Sequence, residues 1–503
     1  MSSFPRFIAG TVACLILSPP LAGQDGTLAL QSYQRARQAL DQAVTAHGGL
    51  EALRNVQRIS VRHEGTFYNR NQSRRVAAPY DPTPSNGFLA VDYRGGRLVW
   101  EQETGFPGGF RNLTRLVITP GSSWQANHTD RRWFTVQNPA GPHRNLLRRL
   151  PQTHLIAALD RATSLRWLGE VTWQGRKQAV ITYAAEDGQQ ATLFLDRKSG
   201  TLSKLEQLFS DPLTGDAIAE IIYADYTGVG AIRMPTRRIL RRAGETVEEV
   251  RFFDMAVDGP FPDSLEVKPT DYVDGSAPPP ADTAVIRLGR GVYLVPLSGG
   301  NNALAVEFRD HLILLEPYGN DGNSRQALAR IRETVPGKPV RYIVPTHHHD
   351  DHTGGLRTYI AEGVTVLTTP GNRAYVERMS RGRWTLTPDL QSERQTLVKV
   401  ETTKGARTVL SDGAQTMELI DIGPGPHADE MLVAWLPGEK LLFQGDLLNR
   451  PADGRPRAGN LTTRHFAEWL KTSGLPVERI AGVHGPVATL KDLETALTLM
   501  AAQ

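Results

Sequence analysis

The 503-residue chain carries 57 Lys and Arg against 53 Asp and Glu, for a formal net charge of +4. Its 40% apolar and 22% charged content is that of a soluble globular protein, and its length exceeds one hydrophobic core, which implies two or three domains. The basic balance does not point to nucleic acid, because no Lys precedes Lys177 and the arginines are scattered among acids rather than massed.

The chain opens on a positively charged stretch, Met1 to Arg6, followed by an apolar run, Phe7 to Leu17. Small residues around Ala22 and Gly23 then offer a cleavage zone. This order predicts a secretory signal peptide over 1–23 and a periplasmic or secreted location. The apolar run is too short for a stable membrane span. The single cysteine, Cys14, falls inside it, so the mature chain is expected to have neither disulfides nor a thiolate metal ligand.

Residues 24–274 read as a β-rich domain behind a helical start. Leu30, Tyr33, Ala36 and Leu40 recur at helical spacing within 29–57. From Val56 to about Val257 the pattern alternates, as in Ile59-Ser60-Val61-Arg62-His63, with turn signals at Gly95-Gly96, Asp187-Gly188 and Lys198-Ser199-Gly200. One helix is expected to interrupt near 144–161. The result is a large antiparallel meander, similar to the curved half-barrel of periplasmic lipoprotein carriers. Its histidines, His47, His63, His128, His143 and His154, show no ligand spacing and read as structural.

Residues 275–283 contain Gly275-Ser276-Ala277-Pro278-Pro279-Pro280, which can continue neither helix nor sheet, and read as a linker. Beyond it, over 284–503, strands and helices alternate. Strands are expected near 291–297, 303–308, 311–315, 340–345, 363–368, 415–421, 430–436, 440–445 and 479–483. Helices are expected near 323–335, 354–361, 370–379, 463–472 and 489–501. This α/β pattern suits two mixed sheets sandwiched between outer helices.

The chemistry concentrates in Thr346-His347-His348-His349-Asp350-Asp351-His352. Four metal-ligand side chains, His347, His349, Asp351 and His352, fall within six residues, directly after the apolar segment Tyr342-Ile343-Val344-Pro345. Imidazole with carboxylate suits zinc, and two adjacent pairs suit two ions better than one. A histidine run can also be a surface tract of weak metal affinity. Here Asp351 and His352 are as well placed as the histidines, and Gly354-Gly355 permit a tight turn into a helix.

Three further residues end apolar runs downstream. His427 follows the Gly423-Pro424-Gly425-Pro426 turn, Asp446 ends Leu441-Leu442-Phe443-Gln444-Gly445, and His484 precedes Gly485-Pro486. Alone, each histidine reads as structural and Asp446 as a helix cap. An acid at the end of an apolar strand is costly to bury unless paired or bound to metal.

Taken in order, His-x-His-x-Asp-His, His, Asp, His resembles the metallo-β-lactamase superfamily of zinc hydrolases, over about 284–503. The flanking Asn301-Asn302-Ala303-Leu304-Ala305-Val306 and Leu312-Ile313-Leu314-Leu315 resemble its first strand pair. The resemblance implies a first zinc on His347, His349 and His427, a second on Asp351, His352 and His484, and Asp446 bridging them. It implies a metal-bridging hydroxide attacking an ester, lactone, thioester or related bond of a small-molecule substrate, with Asp351 orienting the nucleophile and passing a proton to the leaving group.

Glu316 stands where the family commonly has Asp. Asp446 stands where true β-lactamases of this fold generally have Cys or Ser, which leans away from β-lactam hydrolysis. His349 stands where oxygen-reducing diiron relatives usually have Glu. Ser298 to Asn302 is expected near the metals and 380–400 as a lid. Arg450, Arg455 and Arg457 could hold an anionic substrate but read better as an ordinary solvated loop. The alternatives are an envelope carrier whose first domain holds lipid, and a β-lactamase of the same fold.

Overall fold

One sheet of 14 strands takes up most of residues 58–274 in the computed structural model, which describes residues 27–276 and 284–502. The expected signal segment, Cys14 and residues 277–283 of the expected linker lie outside the described residues. The central strand, Arg58–Tyr68, pairs antiparallel with both Pro82–Asp92 and Glu245–Val257, so Ile59 faces Val91 on one side and Val257 on the other. From it the meander runs out in two directions. All neighbours are antiparallel except the two-residue strand Val273–Asp274, which runs parallel to Arg132–Thr135.

One face of this sheet is covered by helices. Helix Leu28–Ala46 presents Ala36, Leu40, Ala43 and Val44, and helix Pro151–Asp160 presents Leu155 and Ala158. Together they pack on Val61, Leu98, Ile181 and Leu193 from the strands. The chain's own helices therefore occupy this apolar face, where a lipid carrier would keep an open groove.

The sequence predicted one helix over 29–57, but the structure breaks it after Ala46 and restarts at Leu50–Asn55. Gly48 and Gly49 have φ of 120° and 92°, which side chains avoid, and a Cβ on Gly48 would lie 2.4 Å from the Ala231 carbonyl oxygen. The helix expected near 144–161 is likewise two, Ala140–Leu147 and Pro151–Asp160. Pro151 cannot donate to the preceding turn, so it starts a new helix instead.

Residues 286–489 supply two further sheets. A seven-stranded one runs from Ile286–Gly289 to Val400–Thr402 and a six-stranded one from Arg407–Ser411 to Ala488–Thr489. In strand Leu312–Leu315 the pleat sends Ile313 and Leu315 inward, to meet Leu419, Ala434 and Phe443 of the other sheet. It sends Leu312 and Leu314 outward, onto Leu328, Ile331 and Tyr359 of helices Asp321–Thr334 and Leu356–Ala361. Burial on both faces explains why such strands read as unbroken apolar runs. Phe466 and Leu493 of helices Leu461–Ser473 and Leu490–Ala501 cover the second sheet, giving the expected αββα sandwich. The short strands at both sheet margins carry little periodicity and were not expected from the sequence.

The expected lid at 380–400 does not cover the metal-ligand cluster. Arg383 pairs with Gly215 of the first domain, and the Asp216 carboxylate accepts from Thr385 N at 2.9 Å and Leu386 N at 3.0 Å. Trp384 lies under the Arg357 guanidinium, itself held by Asp389. The segment is a strap between the domains.

Candidate metal centre

Each expected ligand sits just past the end of a strand, on one edge of the sandwich. Strand Val340–Val344 delivers His347 and His349, and the short helix Asp350–Thr353 carries Asp351 and His352. His427 lies in the turn between Thr416–Asp421 and Leu432–Leu436. Asp446 follows Leu441–Gln444, and His484 follows Arg479–Gly482. Before Asp446 the backbone passes close to the His347 segment, and a Cβ on Gly445 would lie 2.4 Å from Thr346 Oγ1. A side chain there would have to displace Thr346, beside the first ligand.

The structure brings all seven residues together. One atom each from His347, His349, His427 and Asp446 lies within 4.8 Å of the others, and the same holds for Asp351, His352, Asp446 and His484. Asp446 belongs to both groups. Its Oδ2 is 3.2 Å from His352 Nε2 and 3.3 Å from His427 Nε2, and its Oδ1 is 2.8 Å from His484 Nε2.

The outer nitrogens of the imidazoles are tied to acceptors, which sets their tautomers. His352 Nδ1 donates to Glu316 Oε2 at 2.8 Å, and His484 Nδ1 meets Asn301 Oδ1 at 2.8 Å. His349 Nε2 donates to the Ser73 carbonyl at 3.0 Å; a carbonyl only accepts, so this nitrogen carries the proton. The lone pair of His349 Nδ1 is then left facing the cluster, and His352 Nε2 faces it too. Both atoms are buried without a hydrogen-bond partner. His347 Nε2 and His427 Nε2 are 3.0 Å apart, with room for at most one proton between them.

These orphaned, converging donors fit a divalent cation. The electrostatics agree. Burial, reinforced by His352, His349 and His427, pushes His347 well below its usual range. Burial also opposes charge on His352, yet Asp446, Asp351 and Glu316 outweigh it and push His352 well above. Asp446 is held well below the usual carboxylate range against its burial, by His352 and His484. A cluster that draws a proton onto a fully buried imidazole offers a strongly negative field to a metal ion.

His348, the middle residue of the run, turns away from the cluster and packs against Tyr375. Asn301 and Asn302 lie at the site as expected, and Asn302 Nδ2 donates to the Gly485 carbonyl at 2.8 Å. Tyr318 sets its ring edge-on to both His352 and His484. The five histidines of the first domain lie outside the cluster, as expected. His47 Nδ1 meets the Ala43 carbonyl, His63 meets Gln102, and His154 meets Tyr183.

A cavity of about 670 Å³ opens over the ligand atoms of His349, Asp351, His427, Asp446 and His484. Both domains wall it. Phe106 and Phe110 come from the first domain, beside Gln72, while Leu448, Asn449 and the 455–460 loop come from the second. Arg455 and Arg457 line the cavity, but they are paired with Asp453 and Asp130, and Arg450 is held by Asp492 and the Gly454 carbonyl. Sequence reasoning did not find Gln72, Phe106, Phe110 or Tyr318, for they sit in turns with no spacing pattern. Only Tyr318 carried a faint signal, two residues after Glu316.

Residues 298–484 match the family model of the metallo-beta-lactamase superfamily. A 158-residue stretch is 28% identical to the 2,4-dinitroanisole O-demethylase subunit alpha of Nocardioides sp. (strain JS1661), covering 31% of this chain and 44% of that one. A 173-residue stretch is 27% identical to a metallo-beta-lactamase type 2 of Bacteroides fragilis, covering 34% and 61%. The chain thus spans less than two thirds of either relative. Among solved structures, a metallo-beta-lactamase from Pontibacter korlensis shares 24% identity at a TM-score of 0.31, covering 44% of this chain and 99% of its own. A metallo-beta-lactamase from Pseudomonas aeruginosa in its mono-zinc form shares 22% at 0.33, covering 44% and 97%.

Proposed function

Residues 298–484 form a metallo-β-lactamase superfamily domain, and from that premise we propose that the protein is a two-zinc hydrolase of small-molecule esters, lactones, thioesters or related bonds, working in the bacterial envelope. The observation that carries the reading is the pair of four-residue ligand groups sharing Asp446. His347, His349 and His427 would hold the first ion, Asp351, His352 and His484 the second, with Asp446 between them. When bound, the ions would supply a water activated at neutral pH and Lewis-acid stabilisation of the developing oxyanion.

The remaining work falls to the chain's own residues. Asp351, at the cavity floor, would orient the attacking water and carry its proton to the leaving group. Glu316 and Asn301 would keep His352 and His484 turned toward the cluster. Phe106 and Phe110 would exclude water and seat an apolar part of the substrate. Asp446 favours hydrolysis of these bonds over β-lactams, given the family's habit at that position.

The test is hydrolysis of a panel of lactone, thioester, phosphodiester and β-lactam by the mature protein. Turnover that vanishes with a chelator and returns with zinc is expected on at least one of the first two. Silence across the panel, with two zincs bound, would turn the reading toward a narrow substrate outside these bonds. Export is a separate part of the proposal, checked by sequencing the N-terminus of protein recovered from the periplasm or medium.

A further inference from the structure

We propose that the 69–75 loop of the first domain is a working part of the metal centre, with Gln72 and the Ser73 carbonyl positioning Asp351 and His349 for the ions. The inference rests on the metal reading above and adds to it a dependence on the other domain. Gln72 Nε2 spends both of its hydrogens on the ligand segment, at 2.7 Å to Asp350 Oδ1 and 2.9 Å to Asp351 Oδ1. With Oδ1 of Asp351 so engaged, Oδ2 is left facing His352 Nε2, 3.4 Å away. The Ser73 carbonyl, at 3.0 Å from His349 Nε2, accepts that nitrogen's hydrogen and leaves Nδ1 as the residue's only lone-pair nitrogen for an ion. The loop backbone also accepts from Asp350 N, through Asn71 O at 3.2 Å, and from Asp429 N, through Arg74 O at 2.9 Å. It therefore grips both ligand-bearing turns, 349–351 and 427–429.

The loop is rigid enough to impose this geometry. Arg70 is buried and bound to Asp211 at 2.6 Å and Glu245 at 2.5 Å. The Asp81 carboxylate accepts from Ser73 Oγ at 2.6 Å and Arg74 N at 2.8 Å. A loop that only docked the domains would engage the rim of the sandwich, as the 383–387 strap does. This one bonds the ligand side chains themselves. Outer partners of this kind typically change metal affinity by about 10–100-fold when removed.

The experiment is zinc binding by the full chain, read by competition with a chromophoric chelator, together with the absorption spectrum of the cobalt(II)-loaded protein. Gln72→Met keeps the side-chain volume and removes both donors; Gln72→Ala is the second variant, and thermal unfolding of the metal-free proteins reports which of them folds. Asp216→Ala cuts the strap instead and serves as the docking control. We expect zinc affinity to fall about 10–100-fold and the cobalt spectrum to shift in the Gln72 variants, with Asp216→Ala like wild type. Wild-type affinity and spectrum in a folded Gln72 variant would overturn the proposal, as would an equal loss in Asp216→Ala. A wild-type chain that binds no zinc would instead remove the metal reading, and this inference with it.

Discussion

Glu316 and His352 form a fully buried pair in which the carboxylate accepts from His352 Nδ1 at 2.8 Å while its other oxygen accepts from Thr346 N at 3.0 Å. One side chain thus orients a proposed ligand and braces the turn that carries three more. An amide cannot do both, because it has one acceptor oxygen and would point its NH2 at the remaining donor. Glu316→Gln is therefore expected to weaken zinc binding at the second site by about 10–100-fold and leave the first site closer to wild type. Stepwise zinc titration by calorimetry checks this, and an unchanged second step would refute it.

Asp351 is placed to serve as both ligand and proton carrier. Replacing it by Asn keeps the size and a carbonyl-type donor oxygen but removes the ability to take a proton. Asp351→Asn is expected to fold, to retain most of its zinc and to lose turnover by about 10²–10⁴-fold. Metal content and kcat measured on the same sample decide it. Unchanged turnover with both metals present would remove Asp351 from this role.

The sandwich and its ligand cluster were legible because their signals are local. Leu312 to Leu315 or Leu441 to Gln444 read as buried strands from four residues each, and although a lone histidine or acid at the end of such a run reads as structural, the ordered set of them after the His347 to His352 run does not. What was not legible depends on distant pairing. Gln72 sits 279 residues before Asp351 in an arginine-rich loop, and nothing in its neighbours marks it. The 380–400 segment read as a lid on the strength of Arg381, Arg383 and Trp384. Its partners, Gly215 and Asp216, belong to another domain. The breaks at Gly48 and Pro151 were visible as residues but not as breaks, because helical periodicity continues on both sides.

Arg70 anchors the loop that reaches the metal centre, and its partner Asp211 is fully buried. Arg70→Ala would leave that carboxylate without its counter-ion, although Leu213 N and Thr214 N would still donate to Oδ1. Breaking a buried pair from one side costs about 3–5 kcal/mol. We expect urea unfolding of the metal-free protein to show a loss of that order. The double variant Arg70→Ala with Asp211→Asn should lose less than the sum of the single changes. Strict additivity would mean that the two side chains do not stabilise one another.

Acid should begin to destabilise the first domain above the range in which carboxylates titrate. Burial pushes His47 and His154 from 6.5 down to about 4, so both are neutral in the folded chain at pH 6. The unfolded chain takes up their protons first as pH falls. Their contribution is complete above about 6.5 and is lost between 6.5 and 4, at roughly 3 kcal/mol for each histidine at the lower end. Glu248 has the opposite chemistry but the same sign with pH. Despite its burial, Arg238 and Arg149 hold its carboxyl down to about 2, so its contribution is present above 4.5 and disappears toward pH 2. Urea midpoints of the chelator-treated protein should therefore fall steadily from pH 6.5 to 4 and further below. His154→Phe separates the histidine part. It loses the bonds to Tyr183 and the Arg148 carbonyl, so it is less stable at pH 7, yet its stability should fall less steeply between 6.5 and 4. Equal slopes in the two proteins would show that His154 is not held neutral by its burial.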